Sequence, residues 1–179
     1  YVRATLPEKA VGVPAVKITK TGTGLSWGAV YAQYTENTEA LKQNRAGGLS
    51  IVRQLLKDGK EVTEDTPLRL GDKLTVRLTV RADRDMDFVQ ITDGRAACME
   101  PQEQLSGYRW QAGISCYRVS KDASTRFFID RLRKGTYTID YEVYLDRMGT
   151  YVGGTATVGS VYAPEFSART GSLTVQVGE

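Results

Sequence analysis

The sequence predicts an all-β protein, an antiparallel β-sandwich, and three observations carry that expectation. Apolar residues recur with period two: across 73–81, Leu74, Val76, Leu78 and Val80 face one way while Lys73, Thr75, Arg77, Thr79 and Arg81 face the other. Short segments of this kind are separated by turns rich in Gly, Asp and Pro. No segment carries the sustained i, i+3, i+4, i+7 apolar stripe of an amphipathic helix.

In chain order, the first strands are expected at 16–20 and 27–34, joined by the turn Gly22-Thr23-Gly24, with Trp27 inside the strand alternation and in a core. Residues 36–43 offer only Ala40 and Leu41 as apolar positions, so 35–48 reads as a linker with one helical turn, ending in a flexible Gly47-Gly48 joint. Strands follow at 49–56, 73–81 and 88–92. A long loop is expected from Asp93 to Trp110. Further strands fall at 117–119, 126–129, 137–145 after the Lys134-Gly135 turn, 155–162, and 173–177 after Gly171-Ser172. Since a sandwich needs only about 100 residues, 49–179 is expected to be a complete one that folds alone. Residues 1–34 are expected to be terminal strands of a preceding β-domain.

Composition narrows function. The 179 residues hold 24 Lys and Arg against 21 Asp and Glu, a net charge of +3 with both signs interleaved, so nucleic acid is not an expected partner. There is no histidine. That excludes Ser-His and Cys-His nucleophile pairs and His-ligated zinc or copper. No stretch approaches the roughly 20 apolar residues of a membrane-spanning helix.

Several motifs come close to carrying chemistry. Gly22-Thr23-Gly24 starts like a dinucleotide fingerprint, but Trp27 holds the third glycine position and a strand pattern stands where a helix must follow. Asp83, Asp85 and Asp87 have the spacing of a calcium loop without its glycine or its final Glu, and read as a solvated strand end. Arg126, Arg131, Arg133 and Lys134, interrupted by Asp130, read as a solvated turn. Loops as long as 93–110 within a compact domain are usually functional, so Asp93, Arg95, Glu100, Tyr108 and Trp110 are the candidate contact residues. Glu100 and Glu103 name no tuned acid or activated nucleophile. Catalytic, cofactor-binding and metal-binding residues are therefore all expected to be absent. Cys98 and Cys116 allow either two buried thiols or one disulfide worth about 3 kcal/mol.

The strings at 71–110 (GDKLTVRLTVRADRDMDFVQITDGRAACMEPQEQLSGYRW), 122–135 (DASTRFFIDRLRKG), 149–169 (GTYVGGTATVGSVYAPEFSAR) and 25–34 (LSWGAVYAQY) resemble the C-terminal region of bacterial alpha-2-macroglobulin-like proteins. The resemblance implies a macroglobulin-like β-sandwich, the last of a series along a large envelope protein that traps proteases after they cut a bait segment. It also implies a periplasmic or cell-envelope location. The family's thioester joins Cys and Gln in a C-x-E-Q sequence. Cys98-Met99-Glu100 begins that way, but Pro101 stands where the acyl-donating Gln belongs, so no thioester is expected here.

The resulting expectation is a non-enzymatic structural and interaction module, the C-terminal domain of a bacterial endopeptidase inhibitor. Its partners would be neighbouring domains of the same parent chain, including a thioester-type helical domain where one is present, and target proteases only through the full-length protein. The alternative is a carbohydrate-binding or adhesin-type sandwich of the bacterial cell envelope, with Trp27, Tyr108 and Trp110 as stacking platforms. A hydrolase built on carboxylates is the weakest reading.

Overall fold

A computed structural model describes residues 5, 17–28 and 35–179. The chain divides into two units at Thr35/Glu36, and the second holds every strand described here. Residues 17–20 and 25–28 carry no regular structure, and 22–24 form a bend whose carbonyls at Gly22 and Gly24 accept from the Lys20 ammonium. The strands expected at 16–20 and 27–34 otherwise lie outside the described residues. Trp27, expected in a core, is 91% exposed.

Fourteen strands follow a 3-10 turn at Thr38–Ala40. They are β1 (Asn44–Arg45), β2 (Leu49–Lys57), β3 (Lys60–Glu61), β4 (Lys73–Ala82), β5 (Met86–Gly94), β6 (Met99–Pro101), β7 (Gly107–Gln111), β8 (Ile114–Lys121), β9 (Ser124–Leu132), β10 (Gly135–Leu145), β11 (Gly149–Gly153), β12 (Ala156–Ser160), β13 (Ser167–Arg169) and β14 (Leu173–Val177). They form a seven-stranded sheet in the order β1-β13-β12-β5-β9-β8-β7, a five-stranded sheet in the order β3-β2-β4-β10-β6, and the hairpin-like pair β11-β14. Each pairing between neighbouring strands is antiparallel.

The two large sheets bury their inner faces in one core. Leu49, Ile51 and Leu55, Leu74 to Ala82 at alternate positions, and Ile139, Tyr141, Val143 and Leu145 supply the five-stranded side. Val89, Ile91, Cys116, Phe127, Ile129, Ala156 and Val158 supply the other. The period-two pattern places these residues on the inner faces because successive Cβ atoms point to opposite sides of a strand.

Two expectations about connections are corrected. Residues 44–45, expected within a linker, pair with Ala168 and Arg169 as the edge of the seven-stranded sheet. Gly47-Gly48 is not a flexible joint. It is a tight turn closed by a bond from Leu49 N to Ala46 O, with φ of 62° and 79°, and it carries the chain from one sheet to the other. A β-carbon on Gly47 would lie 2.4 Å from the Phe166 ring and 2.9 Å from the Glu165 carbonyl oxygen.

Candidate functional site

The segment expected as a loop from Asp93 to Trp110 is half strand. It holds the end of β5, all of β6 and most of β7, and it crosses from the seven-stranded sheet to the five-stranded one and back. This crossing separates the five candidate residues into three environments.

Asp93 continues the inward phase of Val89 and Ile91 and is buried, so it is not a surface contact residue. Its carboxylate meets the guanidinium of Arg53, which continues the inward phase of Leu49 and Ile51 on the facing sheet. The pair is 2.6 Å apart with side chains only 2% and 4% exposed. Arg53 also donates to the carbonyls of Gly94 at 3.1 Å and Gly154 at 2.8 Å, and the Tyr141 hydroxyl donates to the second Asp93 oxygen at 2.6 Å. Burial, reinforced by the neighbouring Asp93 charge, pushes the Tyr141 phenol well above its ordinary value, so the proton stays on the donor. Glycines make the carbonyl cradle possible: a β-carbon on Gly94 would lie 2.9 Å from the Gly154 Cα, and one on Gly153 2.9 Å from the Ala96 nitrogen.

Arg95 is also buried. It donates to the Thr125 hydroxyl at 2.6 Å and to the carbonyls of Lys121 and Asp122, tying the β5–β6 crossing to the β8–β9 turn. Glu100 is exposed on β6 and accepts from Gln104. Its expected companion Glu103 does different work. Its carboxylate bridges Arg109 and the nearly buried Arg118, and its carbonyl accepts from Arg118 and, at 2.9 Å, from Ser120. Residues 102–106 thereby form a strap joining the edges of the two sheets. The Gln111 side chain adds a second tie, donating to Asp140 O at 3.1 Å and accepting from Asp140 N at 3.0 Å.

The Arg109 hydrogen bond is the main influence holding the Glu103 carboxyl below its usual value of 4.5, with Arg118 adding to it. A carboxylate depressed in the folded state adds stability above its unfolded pKa and loses it as pH falls through the folded one. The strap's contribution is therefore complete above about pH 4.5 and disappears on acidification. Glu103→Gln is expected to flatten the acid-side fall of stability measured by urea unfolding. Asp72 and Asp83, also held low by their partners Lys57 and Arg84, preserve part of that fall.

Tyr108 and Trp110, the aromatic candidates, face outward, 70% and 73% exposed on edge strand β7. They do not cap the core. Tyr108 is paired with Tyr117 on β8, and Tyr117 with Phe128 on β9, so three aromatic rings form a row across the outer face of the seven-stranded sheet. Tyr108 and Tyr117 meet edge to face with centroids 5.1 Å apart. Sequence reasoning missed Tyr117 and Phe128 as surface residues, although their alternation with buried Cys116, Arg118, Phe127 and Ile129 was a readable signal.

Cys98 and Cys116 are free and buried, so of the two open alternatives the structure contains thiols. Burial pushes both thiols up, away from the thiolate needed for nucleophilic attack. Pro101 is buried opposite Val143. Two of the three carboxylates with calcium-loop spacing have local partners: Asp83 pairs with Arg84, and Asp85 faces Arg131 and accepts from Lys134 N.

Residues 48–165 match the family model of the bacterial alpha-2-macroglobulin MG10 domain. The fold is similar to that in a crystal structure of Salmonella alpha-2-macroglobulin reacted with methylamine, at 22% identity and a TM-score of 0.63, covering 75% of this chain and 9% of that one. It is likewise similar to trypsin-activated alpha-2-macroglobulin from Escherichia coli, at 19% identity and a TM-score of 0.64, covering 77% of this chain and 11% of that one. A curated relative, circularly permutated Ras protein 2 of Dictyostelium discoideum, is 24% identical over 72% of this chain. The match spans only 3% of that protein.

Proposed function

The chain belongs to the family of bacterial alpha-2-macroglobulin MG10 domains, and from that premise we propose that it serves as a non-enzymatic structural and interaction module of a bacterial endopeptidase inhibitor. Its task is to hold a neighbouring domain of the same parent chain against its aromatic face. The observation that carries this reading is the exposed row Tyr108, Tyr117 and Phe128 with Trp110 beside it. Exposed aromatic clusters of this composition mark interfaces, where Trp and Tyr supply most of the binding energy. The thioester-type helical domain of the parent, where present, is one such neighbour. Target proteases meet the module only through the full-length protein, in the periplasm or cell envelope.

The core supports this division of labour. Its buried ionic ties and neutral thiols make a rigid support, while the contact chemistry lies outside it. In the full-length parent, alanine at Tyr108 and Trp110 together is expected to lower protease trapping at least several-fold while the module's unfolding midpoint stays unchanged. The two aromatics lie on a solvent-facing edge strand, so removing them opens no core cavity. A lower midpoint with intact trapping would assign them to sheet stability instead.

A further inference from the structure

The same outer face continues beyond the aromatic row into a groove of about 470 Å³ over β5, β12 and β13. Its lining is nearly free of charge: Gln90, Thr92, Thr157, Ser160 and Ser167 offer hydroxyls and an amide, and Arg169 is its one charged residue. Gly159 sits in its middle, opposite Gln90 on one side and Ser167 on the other, and its missing side chain leaves a depression in the sheet surface.

Among the described residues no aromatic lines the groove itself, but aromatic residues stand next to lining residues on two sides, beside Gln90 and beside Val161. Phe128 is the cross-strand partner of Gln90. At the other border Phe88 and Tyr162 meet edge to face at 5.3 Å, with Tyr162 78% exposed. Phe88 adopts a φ of 51°, a costly conformation for a bulky residue. Met86 and Val89 are both buried with Asp87 and Phe88 exposed between them, and this local break in alternation turns the ring outward. The Phe88 carbonyl holds the rim in place by accepting from Val161 N at 2.9 Å.

We propose that this groove is a binding site for a neutral oligosaccharide, separate from the interdomain contact made by Tyr108 and Trp110 and sharing with that face only Phe128 at the border between them. Uncharged hydroxyls and amides match the donor and acceptor pattern of a polyol. The flanking rings offer flat apolar faces to the C–H faces of pyranoses, and the volume falls within the range of small-ligand clefts. An extended peptide has no purchase by strand addition, because β5, β12 and β13 are each paired on both sides.

The test is NMR of the isotopically labelled 179-residue chain titrated with maltohexaose, cellohexaose and chitohexaose to about 10 mM, a range suited to weak binding. At least one probe is expected to give saturable shifts at the amides of Thr92, Thr157, Gly159 and Ser167. Gly159→Val fills the depression. A β-carbon there meets only ordinary contacts, the nearest at 3.4 Å, so the sheet is retained. This variant and Tyr162→Ala, which removes an exposed ring, are each expected to weaken binding roughly tenfold. Trp110→Ala is expected to leave it unchanged. The proposal is overturned if no probe gives saturable shifts in the groove, or if binding survives both groove variants intact. It is also overturned if groove shifts track protein concentration without sugar, which would make the occupant a second copy of the chain.

Discussion

Replacing Arg53 by Met is expected to cost the domain about 3–5 kcal/mol, because it leaves the Asp93 carboxylate in the core without its counter-charge. The Tyr141 hydroxyl can satisfy only one of the two carboxylate oxygens. The carbonyls of Gly94 and Gly154 lose their donor at the same time. The loss comes from a stranded charge more than from a missing attraction, so its size depends on what stands opposite. The double variant Arg53→Met, Asp93→Leu removes both charges and is expected to recover part of the single-variant loss. Recovery stays incomplete because the Gly94 and Gly154 carbonyls still lack the Arg53 donor and the Tyr141 hydroxyl has lost its carboxylate acceptor. Urea unfolding of wild type, both single variants and the double variant closes the cycle. A single-variant loss below about 1 kcal/mol would show that the pair is hydrated and contributes little to holding the two sheets together.

Gly47→Ala is expected to destabilise by about 2 kcal/mol or more, from two separate causes. The left-handed φ of 62° disfavours any residue with a β-carbon, by about 1 kcal/mol. The new carbon must also displace the Phe166 ring and the Glu165–Phe166 backbone, which the Ala46 N to Ser167 O bond holds near the turn. Gly59→Ala separates the causes. Gly59 has a φ of 77° and no heavy atom within 4 Å of a built β-carbon, so it reports backbone strain alone and is expected to cost about 1 kcal/mol. If the two variants lose equal stability in urea unfolding, the turn at Gly47 is loosely packed. If Gly47→Ala is neutral, the flexible joint expected from its sequence is restored.

Much of the sandwich was legible because burial on one face of a strand imposes alternation on the sequence. The strands at 73–81, 137–145 and 173–177 were readable for this reason and became β4, β10 and β14. Short pieces such as β1, β6 and β13 were not, since two or three residues are too few to display a period. The candidate site was less legible. All four of Asp93, Arg95, Tyr108 and Trp110 fall in a segment whose length reads as a contact loop, and that length does not show that Asp93 and Arg95 are buried while Tyr108 and Trp110 are exposed. A sharper signal was present: Arg53 and Asp93 both fall on the inward phase of apolar strands, and two misplaced opposite charges can satisfy one another.

By itself the sequence determined the all-β class, the family resemblance, the lack of histidine chemistry and the missing acyl donor at Pro101. Each of these depends on residue identity or on spacing along one strand. Only the tertiary structure decided that Arg53 meets Asp93, that Glu103 ties a strap across two sheets, and that Tyr117 and Phe128 extend the face begun by Tyr108. It also decided that Gly47-Gly48 is a packed turn. These facts depend on which strands become neighbours and in what register. That choice is made by the closing of two sheets over one core, among residues far apart in the chain.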